Sequence, residues 1–318
     1  MLSPLSIRDN NTTAADDAQY GYVPSQTIAI IFLALFGLST LLHYGQAMYY
    51  RVWWLLPTAT LCGIGELIGW SGRLWSSISP TASDPYMIQV STTIIAPTPL
   101  LAASFMILSR VVLQLGTSYS RLTPKWFTII FLPCDLTALV VQGVGGGIAS
   151  AASDLAGANV GANIMLGGIT FQFLVIIVFT LVAGDFLNRY LRDQPLRTDG
   201  STRGALTARL KLMLSALAFS TLVLIVRSVY RIVELSTGWE GVVIHTQVYF
   251  DVFDAAMVVL AIFTLNVAHP GRLLLPPVQD RGKPADTDMD AVELLRGANR
   301  KGRGKDLESS ASSSVEAL

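Results

Sequence analysis

The sequence predicts an all-α integral membrane protein of seven transmembrane helices, its N-terminus outside and its C-terminus in the cytosol. Three observations lead there. Seven apolar runs each reach the ~20 residues that a helix rising ~1.5 Å per residue needs to cross a ~30 Å hydrocarbon layer. Charged residues make up 14% of the chain and apolar ones 52%, against ~25% charged in a typical soluble protein. The bases also sit almost wholly on alternate connections. Of the 22 Lys and Arg, all but Arg8, Arg73, Arg227 and Arg231 fall on one side of the alternation, which the positive-inside bias makes cytosolic.

In order, the runs cover residues 24–44, 53–75, 86–108, 126–150, 161–187, 207–233 and 243–268. Arg51 follows the first run. Arg110, Arg121 and Lys125 flank the third connection, and the fifth and sixth runs are joined by a polar, basic loop from Asn188 to Lys211. Pro195 and Gly200 break that loop, which is expected to be mobile. In the third run Pro97 and Pro99 remove backbone donors, so the helix there bends or breaks, with a gating or a shaping role. The fourth run ends in Gly143-Val144-Gly145-Gly146-Gly147. The fifth opens on Gly157, Gly161, Gly167 and Gly168, so these two helices are expected to pack closely.

Three parts follow: a tail of residues 1–23, a bundle of residues 24–275 and a tail of residues 276–318. The first tail is acidic and polar and lacks the basic region and short apolar core of a signal peptide. Its overlapping acceptors Asn10 and Asn11 are glycosylation sites if the tail is outside. The last tail is too polar to bury a core and is expected to be disordered. Its basic cluster from Arg296 to Lys305 suits an anionic inner leaflet or serves only topology. Cys62 and Cys134 lie in apolar runs and read as small core residues.

The chemistry lies in charges that hydropathy would exclude. An ionisable side chain near a membrane helix centre costs at least ~2.5–3.5 kcal/mol, so it faces a cavity or a partner. There are eight: Glu66 and Arg73 in the second run, Asp135 in the fourth, Arg227, Arg231 and Glu234 in the sixth, Asp251 and Asp254 in the seventh. Arg227, Arg231 and Glu234 are spaced to share one helix face. Glu66, Asp135, Asp251 and Asp254 read as a functional cavity, with Gln142, Arg227 and Arg231 as further substrate contacts. Arg73 and Glu234 read as structural or gating pairs, and at least one of Arg227 and Arg231 is expected to pair with Glu66 or Asp251. Gln142 and Gln172 also suit interhelical hydrogen bonds.

The sequence Glu66-x-x-Gly69-Trp70-x-x-Arg73, followed by Ala96-Pro97 and by Asp135 with Gln142 and Gly145-Gly146-Gly147, resembles the fungal lipid-translocating exporters. These are the RTA-like proteins of aminocholesterol resistance and sphingoid-base release. Gly168-x-x-x-Gln172, Arg227-Ser228-x-Tyr230-Arg231-x-x-Glu234, Asp254-x-x-Met257 and His269-Pro270-Gly271 continue the match. The resemblance implies a seven-span fungal plasma-membrane or endomembrane protein that moves or regulates amphipathic lipids in stress resistance. The chain departs from the family pattern in the seventh run, where members often carry an acid near Gln247, a tyrosine near Asp251 and a proline near Ala256.

Three function classes compete. A translocator of a cationic amphipath, such as a sphingoid long-chain base, suits the acidic excess, because an unpaired buried ammonium is prohibitive. No phosphate-binding motif accompanies the glycine run, so movement would follow a gradient, couple to protons or scramble lipid. A seven-helix lipid sensor fits the topology equally. A zinc lipid hydrolase needs about three converging histidines. His245 and His269 on one helix would stand ~36 Å apart, and with His43 they read as interfacial side chains. The expectation is a non-enzyme without metal or cofactor.

Overall fold

The chain folds into helices joined by short turns, and the computed structural model describes residues 20–197, 203–238 and 241–274. Asn10, Asn11 and the 276–318 tail with Arg296 to Lys305 lie outside the described residues.

Helix α1, Gln26–Tyr50, runs further than its apolar stretch. It stops where Arg51 adopts a left-handed φ of 55° and its N–H turns back to the Ala47 and Met48 carbonyls. The second predicted crossing is composite. A 3-10 turn at Trp53–Leu55 and a π turn at Leu56–Thr60 lead into α2, Leu61–Ile78. Pro57 accompanies this irregular start because it has no N–H to give to a regular ladder. The third predicted helix is two helices, α3 at Ser83–Ile95 and α4 at Thr98–Leu115. They meet at Ala96 and Pro97, where the Pro97 carbonyl accepts from both Leu100 and Leu101. The break expected from the two prolines is present.

Next come α5, Pro124–Ala151, and α6, Leu155–Arg192, which the Asp154 carboxylate caps by accepting from Gly157 N at 3.0 Å. Helix α7, Ala208–Ser236, is capped by Thr207. The last crossing is also broken: α8, Gln247–Phe250, a π turn at Asp251–Ala255, then α9, Ala256–Val267. The short α10, Pro270–Leu273, follows. Helix α2 packs on α1 and α3, α5 on α4 and α6, and α7 on α6, while α9 lies against both α7 and α1 to close the ring.

Six of these segments are long and apolar enough to cross a membrane: Gln26–Tyr50, Ser83–Leu115, Pro124–Ala151, Leu155–Arg192, Ala208–Ser236 and Gln247–Leu273. The composite second segment is not among them, because Glu66, Arg73 and its many glycines and serines lower the mean hydropathy of Leu61–Ile78. The surface is inverted relative to a soluble protein. Leu41, Leu181 and Val140 are 71%, 67% and 60% exposed, while every charged residue of the α2, α5, α7 and α9 region named above is buried. Such a surface suits hydrocarbon and not water.

Inside, Phe105, Phe131 and Phe179 interlock with ring centroids 4.8–5.6 Å apart and tie α4, α5 and α6 together. Close approach of α5 and α6 rests on glycine. A Cβ on Gly145 would stand 2.6 Å from Met165 N and 2.8 Å from Gly161 O, so only hydrogen fits. Cys62 is buried, Cys134 half-buried, and both are free.

The 188–211 loop is anchored on both described flanks: Leu196 N donates to Ser118 O at 2.8 Å, Gly204 N to Leu115 O at 3.0 Å, and Tyr190 OH to Gly204 O at 2.7 Å. Within it Arg189 reaches Asp185 at 2.9 Å, an acid it shares with Arg121 of the α4–α5 connection, and Arg203 lies 3.3 Å from Asp193. His43 and His269 are buried with ring centroids 6.5 Å apart, and His43 Nε2 contacts Ile262 O at 3.1 Å. His245 is part-buried, with Nδ1 2.6 Å from Tyr20 O.

Candidate functional site

The intramembrane charges sort into two polar clusters on different helices. The smaller joins α4, α5 and α6. Gln172 Nε2 donates to Asp135 Oδ1 at 2.8 Å and to Thr98 Oγ1 at 3.1 Å, and Gln142 Nε2 donates to Gln172 Oε1 at 2.9 Å. Gln142 and Gln172 are thus the interhelical hydrogen-bond formers that their side chains suit. Asp135 Oδ2 and Gln142 Oε1 keep no partner. Asp135 therefore stands apart from the other acids.

The larger cluster joins α2, α3, α7 and the π turn before α9. Asp254 is its hub. Arg231 forks onto it, Nε to Oδ1 and Nη2 to Oδ2, both at 2.7 Å. Arg227 Nε lies 2.9 Å from Oδ1, a charge contact outside hydrogen-bond alignment. Arg231 also donates from Nη1 to Glu234 Oε2 at 2.7 Å, and Tyr230 OH donates to the other Glu234 oxygen at 2.8 Å. Helix α3 completes the donors' shell: Thr93 Oγ1 accepts from Arg231 at 3.0 Å and Thr93 O from Arg227 at 2.6 Å. The shared face of Arg227, Arg231 and Glu234 is present, but both arginines turn to Asp254, not to Glu66 or Asp251. Asp251 and Asp254 both stand on the π turn, a local irregularity of the last crossing.

Glu66 is left over. It is fully buried, and neither carboxylate oxygen makes an aligned hydrogen bond, although the Trp70 indole one turn further along α2 bears on it. Asp254, Arg227 and Arg231 lie within electrostatic range of it. With four acids and three arginines in this cluster, the formal charge is −1, and Glu66 is the acid without a direct cation.

Arg73 is held differently from the other arginines. Its guanidinium centre lies 4.5 Å from the Phe250 ring, 5.2 Å from Tyr20, 5.6 Å from Trp70 and 5.8 Å from Tyr22. Nη2 donates to Tyr22 OH at 2.8 Å, while Asp251 Oδ1 is 3.9 Å away. Tyr20 precedes α1 yet is buried in the bundle, and its hydroxyl donates to Gln89 Oε1 at 2.9 Å. Burial pushes the Tyr20 phenol up to about 12, with Arg73 opposing. Between these groups and Glu234 is a cavity of about 20 Å³, room for roughly one water. The functional cavity expected from the sequence has only this much room beside Glu234 and Arg73.

Several contributors escape sequence reading. Thr93 is one hydroxyl in an apolar run. Tyr20 and Tyr22 sit at the end of a segment that reads as a polar tail. Tyr230 and Trp70 do stand inside the quoted motifs, which is the signal that finds them. Among the described residues no three His, Cys, Asp or Glu are grouped to hold a metal ion.

A family model described as RTA1 like protein matches residues 59–276, the part of the chain that carries both clusters. The chain belongs to the RTA1-like family. Similar proteins come from Saccharomyces cerevisiae. The sphingoid long-chain base transporter RSB1 is 27% identical over 280 residues, 79% of this chain and 73% of the relative. Protoporphyrin uptake protein 1 is 25% identical over 293 residues, covering 81% and 93%. Protein RTA1 is 26% identical over 276 residues, covering 79% and 84%. No solved structure matches. Family and apolar helices together make this a multi-pass membrane protein, and two of these relatives are named for transport or uptake.

Proposed function

We propose that this RTA1-like protein translocates a cationic amphipathic lipid, of the sphingoid long-chain base type, and is not an enzyme. The observation that carries the reading is Glu66: a carboxylate fully buried in a bundle, beside a saturated ion-pair hub, with no aligned hydrogen bond and no direct ion pair of its own. An unpaired buried carboxylate is costly, and an ammonium headgroup is the partner that would relieve it. The likeness to a relative named as a sphingoid long-chain base transporter supports the same substrate class. In this reading Glu66 and Asp251 receive the headgroup. Asp254, Arg227, Arg231 and Glu234 hold the frame, and the Asp135, Gln142 and Gln172 cluster fixes α5 to α6 at a distance from it. The jog at Pro97 and Pro99 is the point about which α3 moves relative to α4.

Seven crossings, an extracytosolic N-terminus and a plasma-membrane location complete the proposal. They are supported by the loop charges and by the composite second crossing that stands between α1 and α3.

The test is reconstitution of purified protein in liposomes with a fluorescent sphingoid base and its uncharged N-acyl counterpart, with and without a pH gradient. Protein-dependent flipping of the base, and little of the N-acyl lipid, is expected. Saturable binding with no movement of either lipid would instead identify a sensor.

A further inference from the structure

Three arginines lie among the buried acids, and two are locked by them. Arg227 and Arg231 sit within 2.9 Å of Asp254. Arg73 has no such acid. Its only ion pair, to Asp251, is 3.9 Å long, its Nε has no partner, and it is 1% exposed. What surrounds its guanidinium instead is rings: Phe250 at 4.5 Å, Tyr20 at 5.2 Å, Trp70 at 5.6 Å and Tyr22 at 5.8 Å. All fall inside the ~6 Å at which a ring face attracts a cation. Four aromatic faces and a carboxylate around one positive centre form the arrangement by which proteins recognise alkylated ammonium groups.

The cage belongs to the fold and not to Arg73 alone. Trp70 is fixed by stacking on Phe32 at 4.4 Å, and Tyr20 meets Tyr86 edge-on at 4.6 Å. Asp251 Oδ1 has no hydrogen-bond partner, so a carboxylate oxygen is free to receive an N–H. Two of the four walls come from one short segment before α1, which turns at Gly21 with a φ of 68°. That segment is tied down by His245 Nδ1 near Tyr20 O and by Ser25 N donating to Gln247 Oε1 at 3.3 Å. The 20 Å³ cavity beside the cage cannot hold both a guanidinium and a second headgroup.

We propose that Tyr20, Tyr22, Trp70 and Phe250, with Asp251, form a cage for an organic ammonium group, and that Arg73 is its displaceable resident cation. The bound headgroup and the Arg73 guanidinium exclude one another, and the segment from Tyr20 to Ser25 lifts to let them exchange. This assignment rests on the reading of a cationic lipid substrate and names the subsite that receives the headgroup.

The experiment uses small cations that carry no lipid chain, so that failure of the cage and failure of lipid transport give different results. Full-length Arg73→Ala protein is purified in detergent and melted against increasing tetramethylammonium or methylguanidinium chloride, with sodium chloride matching ionic strength. A saturable rise in Tm in Arg73→Ala, absent from wild type and from Arg73→Ala with Phe250→Leu, is expected. No rise in Arg73→Ala, or an equal rise in the double variant, overturns the cage. Phe250→Leu and Tyr22→Leu in an otherwise wild-type chain supply the second measurement, should Arg73→Ala not fold. Equilibrium binding of a radiolabelled sphingoid base to each is expected to weaken about tenfold, as loss of a desolvated ring contact implies. Unchanged affinity in both overturns the proposal.

Discussion

Asp254 and Glu66 are both buried acids of one cluster, yet their neutral amides should behave oppositely. Asp254 accepts two hydrogen bonds of 2.7 Å from Arg231 and faces Arg227 at 2.9 Å. In Asp254→Asn one oxygen becomes an NH2 that points at a guanidinium donor, and the charge opposite both arginines is lost. Arg231 retains Glu234, but Arg227 retains only the Thr93 carbonyl. Breaking a buried pair while leaving its partner charged costs ~3–5 kcal/mol. At ~2–4 °C per kcal/mol for a chain of this size, Tm should fall by on the order of 10 °C. Glu66→Gln removes a charge that has no hydrogen-bonded partner, so its Tm should stay level or rise. The assay is thermal unfolding of both purified variants in one detergent, followed by loss of the monodisperse peak in size-exclusion chromatography. Equal melting of Asp254→Asn and wild type, or an equal fall in Glu66→Gln, would refute the assignment of hub and orphan.

Other outcomes follow from the same geometry. Gly161→Ala should destabilise by ~1–3 kcal/mol through overpacking, because α5 backbone atoms leave no room for its Cβ, whereas Gly147→Ala meets nothing within 4 Å and should be silent in the same melt. Gln172→Leu strands Asp135 and Gln142 together and should cost ~1–3 kcal/mol, which Gln142→Leu in the same chain partly recovers. The Tyr20 phenol, held up at about 12 by burial, stays neutral while an unfolded tyrosine ionises near 10. Stability should therefore be flat below pH 10 and fall between pH 10 and 12, less steeply in Tyr20→Phe. Tags at the two termini should fall on opposite sides of sealed microsomes; protection of both or neither would refute an odd number of crossings.

Much of this architecture is legible in the chain because the bilayer sets a length and a polarity that few other elements satisfy. The six long apolar helices follow from run length alone, and the break at Ala96 and Pro97 from missing donors. The π turns at Leu56–Thr60 and Asp251–Ala255 are less visible. The first has Pro57 as a local cue. The second has none, and it is the element that carries Asp251 and Asp254. Pairing is the other limit. Helical periodicity puts Arg227 and Arg231 on one face, but which acid they meet depends on the rotation of a neighbouring helix, which no spacing within α7 encodes. Burial of Tyr20 and Tyr22 is tertiary in the same sense: the segment is polar in sequence, and partners on other elements, among them Arg73, Gln89 and His245, make it part of the bundle.

The most direct test of the central claim compares wild-type and Glu66→Gln protein in the same liposomes, at matched reconstituted amounts, by the initial rate at which a fluorescent sphingoid base changes leaflet. Wild type should accelerate flipping above empty liposomes, and Glu66→Gln, folded to the same extent, should return most of the way to the empty-liposome rate. A folded Glu66→Gln protein that flips the base as fast as wild type would contradict the claim that this unpaired carboxylate receives the cationic headgroup.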